Sequence, residues 1–161
     1  MRALLPLVGL AAIAAGSEPA WAADGDALFT QNCLMCHQAG AAGLPGQFPR
    51  LAGRIAAISG KPKGRTYLID VLTYGMAGTI TVDEQRIVGL MPPFAQLSND
   101  DVAGVLSYVQ SLGPPPGGSP AAGTPAAFTA EEVRAGRANA AKTATDVRAE
   151  RQSLEDAKII Q

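Results

Sequence analysis

The sequence predicts a small, mainly helical protein, and three segments carry most of that prediction. Residues 24–33, 65–74 and 98–112 each place apolar side chains at helical spacing. Segments rich in glycine and proline, at 38–53 and 114–127, do not suit regular structure. With 161 residues in all, the chain is long enough for one domain and flanking segments.

The chain begins with a predicted secretory signal peptide over residues 1–22. Arg2 supplies the positive start, residues 3–15 are almost unbroken apolar sequence, and residues 20–22 match a small-x-small cleavage site. The apolar stretch is shorter than the roughly twenty residues that span a bilayer as a helix. We therefore expect export from the cytoplasm and a mature chain that starts near Ala23. An uncleaved anchor is the alternative.

The first predicted helix of the mature chain has Asp24 as its N-cap and runs into Cys33-Leu34-Met35-Cys36-His37. This run contains both cysteines and the only histidine of the chain. Two thiols one helical turn apart can bond to the two vinyl groups of one porphyrin, and the adjacent imidazole can then ligate its iron. The run therefore predicts one covalent haem c, attached at Cys33 and Cys36, with His37 as the proximal iron ligand.

Three other interpretations explain less of this run. A structural zinc site usually takes four ligands, and the cysteines and the histidine here supply only three. A thioredoxin-like redox pair is expected in a βαβ context, which the neighbouring sequence does not suggest. A disulfide between Cys33 and Cys36 would leave His37 without a role.

The second iron ligand is expected to be a methionine, because the single histidine is already used. Met1 leaves with the signal peptide, and Met35 is held between the two cysteines. Met91 is followed by Pro92 and Pro93, which restrict the backbone and can hold the thioether over iron. We therefore expect Met91 as the ligand. Met76, which lies in a glycine-rich stretch, and an open or solvent-ligated site are the alternatives.

Ligation by one histidine and one methionine has a functional consequence. The thioether raises the reduction potential of the haem relative to a second imidazole. It also fills the sixth iron position, so no place is left there for a substrate or for oxygen. The ligand set therefore favours transfer of single electrons.

The remaining core elements follow from local signals. Residues 65–74 are predicted to form a helix that Gly75 ends, and the β-branched segment 78–88 suits a small hairpin or an extended loop. Ser98 and Asp101 form a capping box at the start of the clearest helix in the chain. Its apolar face runs to Leu112, and Gly113-Pro114 ends it.

The segment after residue 113 is predicted to be a linker, 114–127, and a charged helical tail, 128–161. Thr129 with Glu132 and Thr143 with Asp146 form two capping boxes, so we expect helices over about 130–141 and 143–158. The tail has many charges and few large apolar groups. We therefore expect a solvated, partly disordered tail. A docking element for a partner protein is the alternative.

Composition and missing motifs exclude several function classes. The net charge is −1 and no large basic block is present, so nucleic acid is not an expected partner. The sequence has no nucleophile with an adjacent base, no paired carboxylates and no phosphate-binding glycine loop. We therefore expect no independent catalytic site and no enzyme activity.

Residues 24–113 resemble the class I cytochromes c, in particular bacterial periplasmic domains with one haem. The resemblance is carried by the Cys33–His37 run, by the loop GLPGQFPRLAG at 43–53 and by GLMPPFAQLSNDDV at 89–102. It implies the all-α cytochrome c fold, in which the first and last core helices cross. At that crossing, Gly25 and Phe29 would meet Val105 and Tyr108. The haem domain would then occupy residues 23–113.

The resemblance also implies roles around the haem. The carbonyl of Pro45 would accept a hydrogen bond from His37 Nδ1 and so fix the imidazole tautomer. Leu51 would lie against the ring, and Arg54 would bind a haem propionate. An ordinary surface position is the alternative for Arg54.

Together these observations predict periplasmic one-electron transfer, either as a soluble carrier or as an electron-transfer subunit of a respiratory complex. Similar segments occur in cytochromes that serve membrane-bound dehydrogenases, oxidases or copper nitrite reductases. Redox proteins of these kinds are therefore the expected partners, and peripheral association with a membrane complex is compatible with this role. The alternative is a haem enzyme or gas-binding sensor with an open sixth iron site.

Overall fold

The computed structural model describes residues 20–114, 123, 125–138 and 142–160 of the chain. Residues 1–19, which hold most of the predicted signal peptide, lie outside the described residues, as does most of the predicted linker. The helices are α1 (Ala20–Asn32), α2 (Leu34–His37), α3 (Arg54–Ser59), α4 (Pro62–Tyr74), α5 (Asn99–Ser111), α6 (Ala130–Arg137) and α7 (Ala144–Asp156). The strands are β1 (Met76–Val82) and β2 (Gln85–Met91).

Helices α1 and α5 pack closely because a glycine lies at their contact. A Cβ atom on Gly25 would come within 2.7 Å of Tyr108 Cβ and would also meet the Gly104 carbonyl oxygen. One turn later the rings of Phe29 and Tyr108 are in contact, with centroids 5.7 Å apart. The predicted crossing of the first and last core helices, at Gly25 and Phe29, is confirmed.

The fold is mainly helical but not purely so, because residues 76–91 form an antiparallel hairpin. Its register runs from Met76 opposite Met91 to Val82 opposite Gln85. Asp83 and Glu84 make the turn with φ values of 50° and 62°, and two positive φ values are typical of a tight hairpin turn. Ile80, Val82 and Ile87 form its buried face. The all-α prediction is therefore only roughly correct. The hairpin in the structure is longer than the predicted segment 78–88.

The three capping boxes that the sequence carries are confirmed, whereas the prediction of Asp24 as the N-cap of the first helix is wrong, because α1 already begins at Ala20. The Ser98 backbone N–H donates to Asp101 Oδ2 at 3.0 Å, and the Asp101 N–H donates to Ser98 Oγ at 3.1 Å. Equivalent reciprocal bonds open α6 at Thr129 and α7 at Thr143. Helix α6 ends at Arg137 rather than near residue 141. Helix α3 was not predicted, because it is short and follows a glycine-rich loop.

The tail packs against the core, so the expectation of a solvated, partly disordered tail is wrong for the described residues. Val133 and Val147 are fully buried, and Phe128, Leu154 and Ile160 are almost as inaccessible. All five belong to the same hydrophobic cluster as Phe29 of α1 and Val105 of α5. The tail has few large apolar residues, but these five all pack into the main hydrophobic core and are buried there.

Charged contacts also join the tail to the core. Arg65 of α4 donates to both carboxylate oxygens of Glu132 at 2.8 Å and lies 3.9 Å from the centre of the Phe128 ring. Lys142 Nζ donates to the buried Asp70 at 2.6 Å. Burial raises the pKa of Asp70 above its usual range, and the Lys142 ammonium opposes that shift. Within the described ranges, no helix is long and apolar enough to cross a membrane.

Candidate functional site

An apolar cavity lies between α1, α4, α5, α7 and the hairpin. Its empty space is about 750 Å³, part of it open to solvent. Its apolar walls include Phe29, Leu68, Ile80 and Leu106. Every described side chain that we expected to hold the haem, except Pro45 and Cys36, lines this cavity: Cys33, His37, Leu51, Arg54 and Met91.

One helical turn brings the attachment residues together. The backbone N–H of His37 donates to the Cys33 carbonyl at 2.9 Å, and the N–H of Cys36 donates to the same carbonyl at 3.2 Å. Both cysteines are free thiols, so the structure does not support a disulfide between them. Two effects raise the pKa of Cys33 to about 11: mainly its burial, and to a lesser extent the charge of the neighbouring Cys36. Because neither cysteine is in a disulfide, both sulfur atoms are available for thioether bonds.

A backbone carbonyl orients the His37 ring, but it belongs to a different residue from the one that the family resemblance implied. His37 Nδ1 lies 3.0 Å from the carbonyl oxygen of Pro49, so the predicted partner, Pro45, is wrong. Pro45 lies within the turn that the Leu44–Phe48 bridge closes, whereas Pro49 follows that turn and lines the cavity. A carbonyl acceptor requires the proton on Nδ1, which leaves Nε2 free to ligate a metal. Burial lowers the pKa of His37 and keeps the ring neutral.

The hairpin brings two thioethers into the cavity. Met76 and Met91 are directly paired across the strands, and both line the cavity. The segment that follows Met91 is anchored where the Phe94 N–H donates to the Leu72 carbonyl at 2.7 Å. Gly75 permits this approach, because a Cβ atom there would come within 2.9 Å of Pro93 N and its φ of +74° favours glycine.

Arginines form the polar part of the cavity wall. Arg50, Arg54 and Arg151 all line it. The Arg54 side chain is only 14 % exposed, so it is not an ordinary surface arginine. Burial, and then the nearby Arg151, lowers the pKa of Arg54. Arg50 donates to both Asp83 oxygens, at 2.8 and 2.7 Å, and holds the pKa of Asp83 below its usual range.

Two cavity residues were not identified from the sequence, Tyr67 and Arg151. Tyr67 Oη donates to Met76 Sδ at 3.4 Å, and Arg151 Nη1 donates to Tyr67 Oη at 3.4 Å. Arg151 is 4 % exposed although it belongs to the charged tail. A sequence signal for it exists, because Arg151 shares helical spacing with Val147 and Leu154, which are both buried. A charged residue on an apolar stripe is a candidate for a buried ion pair or ligand contact.

The residues present fit a haem c. The Cys33 thiol and the His37 imidazole belong to the lining, two thioethers lie on the hairpin, and the rest of the lining is apolar apart from the arginines and Tyr67. A haem carries two propionate carboxylates, and clustered guanidinium groups beside an apolar cavity suit such anions. Cys33 and Cys36 would hold the porphyrin, His37 its iron, and Arg54 and Arg151 its propionates.

Comparison with known proteins agrees with this site. The family model described as cytochrome c matches residues 22–113. Two curated proteins named cytochrome c-552, one from Thermus thermophilus and one from a particular strain of the same species, are each 42 % identical over 132 residues. These alignments cover 82 % of this chain and 97 % and 86 % of the two relatives. They are longer than the family match and therefore extend into the tail.

The match covers more than half of the chain and includes every attachment residue, and the geometry of the cavity suits the same cofactor. The family implies one covalently bound haem c with iron and a function in haem-based electron transfer. This chain belongs to the cytochrome c family, as a class I monohaem member.

Proposed function

We propose that this chain is an exported, periplasmic carrier of single electrons whose haem is ligated by His37 and Met91. The observation that supports it most directly is the placement of His37 and Met91 in one apolar cavity. When bound, the haem supplies the iron centre that gains and loses the electron. The protein would act as a carrier and not as an enzyme, because Met91 as an iron ligand would occupy the position that a substrate would need.

The residues of the chain then have separate tasks. Cys33 and Cys36 would hold the porphyrin through two thioether bonds. The Pro49 carbonyl holds the His37 imidazole in one tautomer. Pro92 and Pro93, with the hydrogen bond from Phe94 to Leu72, restrict the backbone that carries Met91. Ligands held this firmly need little rearrangement when the charge of the site changes.

The arginines and the apolar walls set the electrostatic environment. Arg54 and Arg151 would pair with the propionates in addition to their ion pairs with Asp83 and Glu155, and Arg50 is paired with Asp83 at the turn of the hairpin. Cationic groups near the site favour the reduced, less positive state, as a methionine ligand does. The apolar lining lowers the local dielectric constant and so strengthens these interactions.

Carbon monoxide binding separates this proposal from a haem enzyme or gas sensor. We expect the reduced wild-type protein to bind carbon monoxide slowly or not at all, because a thioether occupies the sixth position. We expect the oxidised protein to show the near-infrared band of sulfur bound to iron. Rapid carbon monoxide binding by the wild type, together with absence of that band, would favour the open-site alternative.

Export and partners need separate measurements. The N-terminal sequence of the protein purified from a native-like host should begin near Ala23, and the protein should be in the periplasmic fraction. The partners would be a dehydrogenase, an oxidase or a nitrite reductase, with this chain as a soluble carrier or as a complex subunit. Co-purification should use the full chain, because truncation after Gly113 would remove buried core residues such as Val133 and Val147.

A further inference from the structure

We propose that Met76 is a reserve ligand of the haem iron, a second thioether that takes the sixth position when Met91 is lost. The proposal rests on the function proposed above, in which Met91 is the ligand of the intact protein. It is carried by the position of Met76 directly opposite Met91, at the open end of the hairpin, in the cavity that also contains His37.

The register of the hairpin gives the two methionines equivalent access. Met76 is the first residue of β1 and Met91 is the last residue of β2, and they form a cross-strand pair. Side chains of directly opposed residues leave the sheet on the same face, with Cβ atoms about 4.5–5.5 Å apart. Methionine has three rotatable side-chain bonds. A change of rotamer can therefore move the Met76 thioether toward the place of its neighbour without rebuilding the strand.

Contacts of Met76 explain why it is the reserve and not the first ligand. Its sulfur accepts a hydrogen bond from Tyr67 Oη at 3.4 Å, and its side chain packs against Ile80, Val82 and Ile87. A thioether is a weak acceptor, so this hydrogen bond is easily exchanged for a stronger bond to a metal. Met91 lacks such a competing contact among the hydrogen bonds of the described residues, and its backbone is restrained by the two prolines.

The third described methionine cannot take this role. Met35 is 86 % exposed and lies between the two attachment cysteines. The alternative role for Met76 is purely structural, as a residue that fills space between the hairpin and the main core. A space-filling residue would leave the iron open once Met91 is replaced, whereas a reserve ligand would close it again.

The test compares four holoproteins: wild type, Met76→Leu, Met91→Leu and the double variant, each with ¹³C in the methionine methyl groups. Leucine has a similar volume and should preserve packing. In the reduced protein, a methyl group on iron-bound sulfur lies over the porphyrin and its resonance is displaced far upfield. We expect the wild type and Met76→Leu to share one displaced resonance, Met91→Leu to show a different one, and the double variant to show none.

Carbon monoxide gives the second readout. If Met76 occupies the iron about nine-tenths of the time in Met91→Leu, this variant binds carbon monoxide about tenfold more weakly than the double variant does. Adding Tyr67→Phe to Met91→Leu should weaken carbon monoxide binding further, because the competing hydrogen bond to Met76 is gone.

The two proposals fail in different ways. Met91→Leu without a displaced methyl resonance, and with the carbon monoxide affinity of the double variant, would overturn the reserve role and leave Met91 as the ligand. A displaced resonance that survives in Met91→Leu unchanged and disappears in Met76→Leu would instead overturn the assignment of Met91.

Discussion

Arg151 Nη1 lies 3.4 Å from Tyr67 Oη, so a guanidinium from the last helix of the chain reaches the wall of the haem cavity. The same side chain donates to the Thr81 carbonyl at 3.3 Å and forms an ion pair with Glu155 at 2.7 Å. These contacts connect α7 with α4 and the hairpin. The tail therefore contributes to the cavity that would hold the haem, and we expect it to affect the potential of the iron.

Replacing Arg151 with methionine should lower the reduction potential of the haem. The change removes a positive charge that favours the reduced state, and we expect a shift of about 1 kcal/mol, on the order of 40 mV for one electron. Redox titration of the purified holoprotein measures it. Arg151→Lys keeps the charge and should restore most of the potential. Arg134→Met removes an exposed cation from the same tail and should leave the potential unchanged. Equal potentials in Arg151→Met and the wild type would contradict an electrostatic role for Arg151.

Replacing Gly25 with alanine should destabilise the fold strongly. The added methyl group would come within 2.7 Å of Tyr108 Cβ and would meet the Gly104 carbonyl, so α1 and α5 would have to separate. Overpacking of this kind costs typically about 1–3 kcal/mol, which thermal unfolding followed by circular dichroism would detect. Gly113→Ala is the matched control, because a Cβ atom there meets nothing within 4 Å. A similar melting temperature in both variants would show that the helix crossing is looser than described.

Replacing Val147 with alanine tests whether the tail belongs to the core. Val147 is 0 % exposed, and loss of a buried branched side chain typically costs about 1–3 kcal/mol. We expect one cooperative unfolding transition at a lower temperature, seen equally by helix content and by haem absorbance. Val88→Ala is the control, because Val88 is 64 % exposed. If the haem signal of Val147→Ala kept the wild-type transition while part of the helix signal melted early, the tail would be a separate unit.

Replacing Glu132 with glutamine should remove a pH-dependent part of the stability. Arg65 lowers the pKa of Glu132 in the folded chain, so the folded state binds a proton less readily than the unfolded state does. The contribution of Glu132 is therefore fully present above its unfolded pKa of about 4.5 and is lost as pH falls through the lowered value. The carboxylate is partly exposed, so we expect at most about 1 kcal/mol at neutral pH.

Thermal unfolding of the wild type and Glu132→Gln over a pH series checks this sign. The difference in melting temperature should be constant near neutral pH and should shrink under acid conditions. Glu84→Gln, at the exposed hairpin turn, controls for the simple loss of one negative charge. A difference that grows as pH falls would show that the ion pair between Arg65 and Glu132 does not stabilise the folded state.

Local sequence signals predicted the parts of the site that depend on short-range geometry. The spacing of Cys33, Cys36 and His37 fits one helical turn, and the hydrogen bonds from His37 and Cys36 to the Cys33 carbonyl show that turn. The capping boxes at Ser98, Thr129 and Thr143 were readable because each involves residues three positions apart. The family resemblance correctly predicted that Gly25 lies where α1 contacts α5.

Contacts between distant segments were not readable in the same way. The partner of His37 is Pro49 and not Pro45, which lies within the turn closed by the Leu44–Phe48 bridge and does not line the cavity. The composition of the tail indicated a solvated segment, yet its few apolar residues reach the core. The pairing of Met76 with Met91 required the register of a hairpin in which each strand carries one of the two candidate ligands.

The sequence by itself determined that this chain carries a haem c, through one local motif, and that a methionine was the available second ligand type. Only the tertiary structure decided which carbonyl orients His37, that Arg151 reaches the cavity and that two thioethers share it. The physical reason is that helical turns and caps are set by neighbouring residues, whereas a cavity is made by side chains that meet only after the chain has packed.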